Sequence, residues 1–132
     1  MKPISARITR GLQAGSLIIC ADNTGAKILN IIAVKGYKGV KRRHPSCGVG
    51  NWIVCSVRKG VPKLRKQVVH AVVIRQKKEF RRKNGMRIKF EDNAAILITE
   101  KGEPRGTKIK GPVAKEVVER FSMIGKISTI VV

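Results

Sequence analysis

The sequence predicts a mainly β fold, a small closed barrel that carries one basic hairpin and a short C-terminal helical region. Short runs rich in Val and Ile recur along the chain and are separated by turn-forming residues. One strongly basic segment contains Asn84-Gly85, a pair typical of hairpin tips. A helical spacing of apolar residues is clear only beyond residue 110. The 132 residues suit a single domain.

Five strands are predicted from the Val- and Ile-rich runs. They are Leu17–Cys20, Lys27–Val34, Trp52–Val57, Val68–Ile74 and Ala94–Thr99. Asp22-Asn23-Thr24-Gly25 is a run of turn formers that ends the first strand. Val68–Ile74 is almost continuously apolar and does not alternate, so we expect both of its faces to be covered. Short strands with this many turns favour a small barrel. Trp52 lies in a strand, and we interpret it as a core residue rather than a contact.

One helix is predicted near the C-terminus. Gly111-Pro112 would place a proline at the first helical position, where its missing N–H costs nothing. Gly125 is expected to end the helix. The apolar stripe comprises Val113, Val117, Phe121 and Ile124, and the polar positions beside it are Lys115, Glu119 and Lys126. We expect the stripe to pack against the barrel rather than to bind a partner.

The charge is the feature that indicates function. Lys and Arg number 29 against 8 Asp and Glu, so the formal net charge is +21. So much like charge in one domain is usually compensated by a polyanion. An anionic membrane would require a long apolar span or a basic amphipathic helix, and neither occurs in the sequence. Arg7 and Arg10 interrupt Ile4–Cys20, which therefore does not resemble a signal peptide, so a cytoplasmic protein is expected.

The cysteines and histidines do not suggest a metal site or a disulfide framework. Cys20 and Cys55 lie in apolar runs and are predicted to be buried, whereas Cys47 lies in a Gly-rich loop. An odd number of cysteines argues against a regular set of disulfides. His44 and Cys47 form one close pair, whereas zinc sites usually need two. We therefore predict no metal and no cofactor.

The acidic residues do not suggest an enzyme. Asp22, Glu91 and Asp92 all lie in turn sequences, where capping of the backbone explains them without catalysis. Neither histidine has an evident partner nearby in the sequence. A nucleic-acid enzyme would need carboxylates for metal ions or a base beside a nucleophile. We therefore predict that the protein is not an enzyme.

The segment from Arg75 to Phe90 is predicted to form a basic hairpin. A three-residue loop, Lys83-Asn84-Gly85 with Gly85 left-handed, pairs Phe80 with Ile88 and Glu79 with Lys89. Apolar side chains then share one face of the hairpin and polar side chains the other. In this register Arg81 faces Arg87, which is unfavourable unless an anion lies between them. A solvated charged hairpin is the alternative, but two further basic loops favour nucleic acid.

Several short motifs resemble a known family. Ala71-Val72-Val73-Ile74, Asn84-Gly85, Phe90, Asn93 and Ile96-Leu97 occur at the spacing of the signature of universal large-subunit ribosomal protein family fourteen. Three contiguous blocks also resemble that family, Ala21–Ala26, Glu91–Ala95 and Gly111–Ala114. The loops at Val40–Gly50 and Pro62–Val69, with the leading segment Met1–Ala14, are most similar to the archaeal and eukaryotic branch.

The resemblance implies a five-stranded barrel, a projecting basic hairpin and a C-terminal helical region. It implies a structural role in the large ribosomal subunit, with binding to large-subunit rRNA. It also implies a position at the subunit interface and a bridge to small-subunit rRNA. The neighbours it implies are the third universal large-subunit protein, the twenty-fourth eukaryotic-type protein and the anti-association initiation factor six.

The candidate rRNA-binding residues are the Lys and Arg side chains of the loops and the hairpin. They are Lys38, Lys41, Arg42, Arg43, Arg58, Lys59, Lys63, Arg65, Lys66, Arg75, Lys77, Lys78, Arg81, Arg82, Lys83, Arg87, Lys89, Arg105 and Lys108. Cations of this kind bind phosphates and release counterions. The alternative is a free basic barrel that binds single-stranded nucleic acid or chromatin. Only 4% of residues are aromatic, which disfavours stacking of successive bases.

Overall fold

The computed structural model describes all 132 residues as eleven strands and two short helices. In chain order the elements are β1 (Leu12–Gln13), β2 (Leu17–Cys20), β3 (Ala26–Val34), β4 (Ser46–Cys47), β5 (Trp52–Gly60), β6 (Val68–Arg75), β7 (Phe80–Arg81), β8 (Arg87–Ile88), β9 (Ala94–Ile98), β10 (Pro112–Val113), α1 (Lys115–Arg120), α2 (Ser122–Ile127) and β11 (Ile130–Val131). No helix is long and apolar enough to cross a membrane.

The five predicted strands form a closed barrel in the order β2-β3-β5-β6-β9. Neighbouring strands are antiparallel except β2 and β9, whose parallel pairing closes the barrel. The Asp22 side chain supports this closure, because Oδ2 accepts the Leu97 N–H at 2.8 Å. Its Oδ1 accepts the backbone N–H and the hydroxyl of Thr24, as expected of a turn aspartate.

Two hydrophobic clusters lie on opposite faces of β6. Val69, Ala71 and Val73 belong to one cluster, together with inward-facing residues of the other barrel strands. Val72 and Ile74 belong to the second cluster, which lies between the barrel and the C-terminal region. Since successive side chains of a strand point to opposite faces, a strand covered on both sides becomes continuously apolar. The prediction that this strand is covered on both faces is confirmed for Val69 and Ala71–Ile74, whereas Val68 is exposed.

The prediction of one helix beginning at Pro112 is wrong. Pro112–Val113 is extended because it pairs in parallel with Ile130–Val131 at the end of the chain. The helical segment is broken at Phe121, whose backbone is not helical. Gly125 does not end a helix but lies inside α2. A Cβ there would lie 2.7 Å from Val118 Cγ1, so glycine allows α1 and α2 to approach closely.

The burial predicted for this region is confirmed. Its apolar stripe, Val113, Val117, Phe121 and Ile124, is buried in the second cluster. Its polar positions, Lys115, Glu119 and Lys126, are exposed. Trp52 is also buried and its indole N–H donates to His70 Nδ1 at 3.1 Å. All three cysteines are free and buried, including Cys47 in β4.

The segment before β1 lies along the hairpin and is held by Gln76, a fully buried side chain. The Gln76 amide nitrogen donates to the Thr9 carbonyl at 2.9 Å, and its Oε1 accepts the Val49 N–H at 2.9 Å. Arg7 forms an antiparallel β-bridge with Arg81. The N-terminal segment therefore adds a third extended segment beside the hairpin.

Candidate nucleic-acid interface

Five of the eight acidic residues contact other groups of the protein, Glu119 by accepting the Ser5 hydroxyl. Asp22 and Glu116 are buried, Asp92 is ion-paired with Arg75, and Glu79 is paired with Lys78. Only three ion pairs occur in the whole chain. Because the remaining carboxylates are few, most surface cations have no anionic neighbour. The surface charge that this leaves is suited to a polyanion.

The first basic loop connects β3 to β4 and carries Lys38, Lys41, Arg42 and Arg43, which are all exposed. The loop is braced by the Tyr37 hydroxyl, which donates to the His44 carbonyl at 3.3 Å. Arg42 has a positive φ of 68°. A left-handed conformation costs a non-glycine residue roughly 1–2 kcal/mol. This loop therefore has a defined shape that presents its cations to solvent.

The second basic loop runs from the end of β5 to β6. Its cations are Lys63, Arg65 and Lys66. Arg58 and Lys59, which were predicted in a loop, lie in the last residues of β5 instead, and all five side chains are exposed. Leu64 anchors the loop by packing against the barrel cluster. The Gln67 side-chain amide donates to the Lys63 carbonyl at 2.6 Å. Lys66, like Arg42, has a positive φ, here 67°. Both loops thus turn through a left-handed cationic residue.

The hairpin has the predicted register. Phe80 is paired with Ile88 and Arg81 with Arg87. Gly85 has φ of 86°, and the Arg82 N–H donates to the Met86 carbonyl, so Lys83-Asn84-Gly85 is the loop. Asn84 Oδ1 accepts the Met86 N–H at 3.0 Å. One detail differs, since Glu79 contacts Lys78 and the ladder ends before Lys89.

The two faces of the hairpin have different environments. Phe80 is fully buried, and Ile88 and Phe90 pack beside it against the second hydrophobic cluster. Arg81 and Arg87, on the other face, are exposed. The hairpin strands are short, and this packing holds them against the C-terminal region. Only one face and the tip, including Lys83, are free for a ligand.

Arg75 does not belong to the exposed surface, which argues against its predicted role in RNA binding. It lies at the end of β6 and its side chain is 8% exposed. Its guanidinium forms two hydrogen bonds to Asp92, at 2.8 and 3.1 Å. The same group donates to the carbonyls of Lys110 and Pro112. A guanidinium with this many internal partners stabilises the fold and has little capacity left for a phosphate.

Arg82 is also bound internally. Its Nε donates to Glu116 Oε1 at 2.7 Å, and its second terminal nitrogen donates to Glu116 Oε2 and to the Val132 carbonyl. The Glu116 side chain is 1% exposed and that of Arg82 is 11% exposed. This ion pair joins the hairpin to α1 and to the end of the chain. We therefore assign Arg82 to the scaffold rather than to the ligand surface.

The remaining predicted cations are exposed. Lys77, Lys78 and Lys89 surround the base of the hairpin, while Arg105 and Lys108 lie on the segment between β9 and β10. Asn23 orders that segment, because its Oδ1 accepts the Thr107 N–H at 2.9 Å. The structure does not gather all of these residues at one point. It distributes them over two loops, the hairpin and this segment.

Sequence reasoning missed Arg7, Arg10 and Glu116. Arg7 and Arg10 line an open cleft together with Arg81, Lys83 and Arg87, and Arg82 borders it while its guanidinium is bound to Glu116. The two arginines of the N-terminal segment can be seen in the sequence, but no sequence pattern predicts that this segment pairs with the hairpin. Glu116 could have been noticed as the one acidic residue in the first turn of α1, but its burial depends on tertiary packing.

The remaining polar groups do not form a catalytic centre. His70 accepts the Trp52 indole N–H, and Asp22 and Asp92 are held by the contacts described above. Burial raises the pKa of Cys47 and of Cys55 to about 12, and raises that of Cys20 further beside Asp22. These thiols are therefore protonated near neutral pH. No group of three His, Cys, Asp or Glu side chains is arranged to hold a metal ion.

The fold and the surface define a small basic β-barrel protein whose exposed cations are presented by ordered loops and a hairpin. Within this class, the family model described as ribosomal protein L14p/L23e matches residues 11–132. The chain belongs to this family, whose members are structural ribosomal proteins and not enzymes.

Curated archaeal relatives are similar to the chain over their full length. The large ribosomal subunit protein uL14 of Methanocorpusculum labreanum is 54% identical, and the match covers all of both chains. The proteins of the same name from Halorubrum lacusprofundi and Halobacterium salinarum are each 56% identical, again over all of both chains. The family and the archaeal branch that the sequence motifs resemble are therefore confirmed.

Proposed function

We propose that the chain is an rRNA-binding constituent of the large ribosomal subunit that clamps the RNA backbone with its exposed cations. The observation that carries the proposal is the set of unpaired Lys and Arg side chains on two ordered loops and one hairpin face. Cations at fixed positions bind phosphates, release counterions and set the orientation of the protein on the RNA. The printed name of the relatives, large ribosomal subunit protein, supports the same role.

We also propose the finer placement that the family resemblance implies. The protein would act in the cytoplasm on the ribosome, at the subunit interface, where it contributes to a bridge with small-subunit rRNA. Its neighbours would be the third universal and the twenty-fourth eukaryotic-type large-subunit proteins, and the anti-association initiation factor six would dock in the same region. The distribution of exposed cations over two loops, the hairpin and the segment between β9 and β10 supports a protein with more than one RNA contact.

A free protein that binds single-stranded nucleic acid is the second candidate, because small basic barrels serve that role. Such proteins stack successive bases on exposed aromatic side chains. Here Trp52, Phe80 and Phe121 are buried, and Tyr37 and Phe90 are half-buried. No aromatic platform is therefore exposed, and recognition of folded RNA by shape and backbone is favoured.

The proposal is tested by binding of the full chain to large-subunit rRNA from Halobacterium salinarum, with small-subunit rRNA and poly(U) as competitors. We expect large-subunit rRNA to compete best and the protein to sediment with large subunits at moderate salt. The triple variant Lys41→Gln, Arg42→Gln, Arg43→Gln should bind more weakly, whereas Lys126→Gln on α2 should not. Equal competition by poly(U) would favour the single-strand candidate instead.

A further inference from the structure

Three arginines form a row across the N-terminal segment and the hairpin. Arg81 is bridged to Arg7 on one side and paired with Arg87 on the other. Directly opposed residues on neighbouring strands lie on the same face, with their Cβ atoms about 4.5–5.5 Å apart. All three side chains are exposed. The structure thus places three arginine side chains at neighbouring positions on one face, where their like charges repel one another.

Carboxylates of the protein compensate this row only weakly. None of the three arginines forms an ion pair, and no acidic residue lines the cleft that they border. Glu79 is ion-paired with Lys78, and its pKa is lowered by a backbone hydrogen bond, by Lys78 and, more weakly, by Arg87. Glu116 is engaged by Arg82. Lys83 adds a further cation to the cleft. Opposed like charges destabilise a sheet, so a bound anion would relieve a real cost.

The cleft is built in advance rather than formed by a loose tail. Gln76 fixes the N-terminal segment at Thr9, and the Ser5 hydroxyl donates to Glu119 at 3.1 Å. A Cβ added to Gly48 would lie 2.6 Å from the Ile8 side chain, so the segment lies close against the turn that follows β4. The other wall, the hairpin, is locked by Phe80 and Arg82.

The open shape and the polar, cationic lining of the cleft suit an extended anion. It measures about 1150 Å³ and is open to solvent. Small-molecule pockets are mostly apolar and span about 300–1,000 Å³. This cleft has only three apolar lining residues, Ile4, Ala6 and Ile8, among a majority of polar and cationic ones. A phosphodiester backbone fits this lining better than an apolar ligand does.

We propose that the N-terminal segment and the hairpin together form a phosphate-binding cleft for the rRNA backbone, in which Arg7, Arg81 and Arg87 bind neighbouring phosphate oxygens. Guanidinium groups suit this role because they donate two hydrogen bonds to one phosphate. Arg7 lies outside residues 11–132, the part matched by the family model. The inference rests on the proposed function and adds to it a binding element that lies before the family-matched residues.

The test uses the full chain and the same large-subunit rRNA. Arg7→Gln and Arg87→Gln should each weaken binding about tenfold, which corresponds to about 1.4 kcal/mol for one lost charge-assisted contact. When either substitution is combined with Arg81→Gln, the affinity of the double variant should fall by less than the product of the two single fold-changes. Neighbouring side chains that share an anion are not independent. Lys126→Gln is the matched control for loss of one exposed charge, and Arg7→Lys should restore only part of the affinity.

Thermal melts show whether a variant that binds rRNA weakly is still folded. In low salt without RNA, Arg7→Gln and Arg87→Gln should melt at or above the wild-type temperature, because each removes like-charge repulsion. Inorganic sulfate should stabilise the wild type more than chloride at equal ionic strength, and these variants should lose that difference. If the wild type binds rRNA and both variants match Lys126→Gln, the cleft is refuted while the proposed function stands. Failure of the wild type to bind rRNA would refute both.

The same variants also test whether the cleft binds a protein instead of rRNA. Variants that bind free rRNA like the wild type but no longer join large subunits would show that the cleft contacts a neighbouring protein. That result would overturn the proposal of a phosphate site.

Discussion

Arg81 and Arg82 are adjacent in sequence and identical in chemistry, yet they lie on opposite faces of the hairpin in opposite environments. Arg82 shares its face with Phe80 and is bound to Glu116 and the Val132 carbonyl. Arg81 shares its face with Arg87 and Arg7, and no acidic side chain binds it. The comparison teaches that charge density alone does not identify a binding residue. A cation is available to RNA only where the fold leaves it without an internal partner.

The largest expected effect is a loss of stability when the buried face of the hairpin is altered. Phe80→Ala should lower the free energy of unfolding by about 3–5 kcal/mol, because a fully buried aromatic ring leaves a cavity. Met86→Ala, at an exposed position of the same hairpin, should cost under about 0.5 kcal/mol. Chemical denaturation of the two variants measures both. Similar losses in stability would mean that the hairpin is not anchored through Phe80.

The next effect distinguishes the two arginines directly. Arg82→Ala should cost about 3 kcal/mol, since it leaves the buried Glu116 carboxylate without its partner. Arg81→Ala should change stability by less than about 0.5 kcal/mol. The double variant Arg82→Ala, Glu116→Gln should recover part of the loss, because no unpaired charge remains. Equal destabilisation by Arg81→Ala and Arg82→Ala would contradict the assignment of separate roles.

A smaller effect concerns the salt dependence of rRNA binding. Arg81→Gln should flatten the slope of log K against log salt by about 0.7–0.9, the contribution of one neutralised phosphate. Sequence reasoning alone would assign the same change to Arg82. The structure predicts that Arg82 contributes little to the slope, since its charge is paired within the protein. An unchanged slope for Arg81→Gln would place that side chain in solvent.

The smallest expected effect is the alkylation of the buried cysteines in the native protein. Burial holds the pKa of Cys47 and Cys55 at about 12, so less than about one thiol in a thousand is ionised at pH 8. Alkylation by iodoacetamide should therefore be negligible in the native protein and complete for all three cysteines in guanidinium chloride. Mass spectrometry counts the adducts. Rapid modification of one cysteine in the native protein would show that its part of the core opens.

The sequence by itself determined the local features. The five barrel strands were predictable because short Val- and Ile-rich runs bounded by turn formers are typical of strands, whether or not they alternate. The hairpin register followed from matching apolar partners and placing Gly85 where a positive φ is required. The polyanion preference followed from the net charge of +21, which no arrangement of the chain can cancel.

Only the tertiary structure decided which cations remain available and how the ends of the chain are used. Arg82 meets Glu116 34 residues away, and Arg75 meets Asp92 17 residues away, through packing that no local pattern encodes. The helix does not begin at Pro112 because Pro112–Val113 pairs with a strand near the end of the chain. Arg7 reached Arg81 because the segment before the barrel lies along the hairpin. Periodicity specifies the conformation of a segment, whereas ion pairing and strand addition depend on which segments the folded chain brings together.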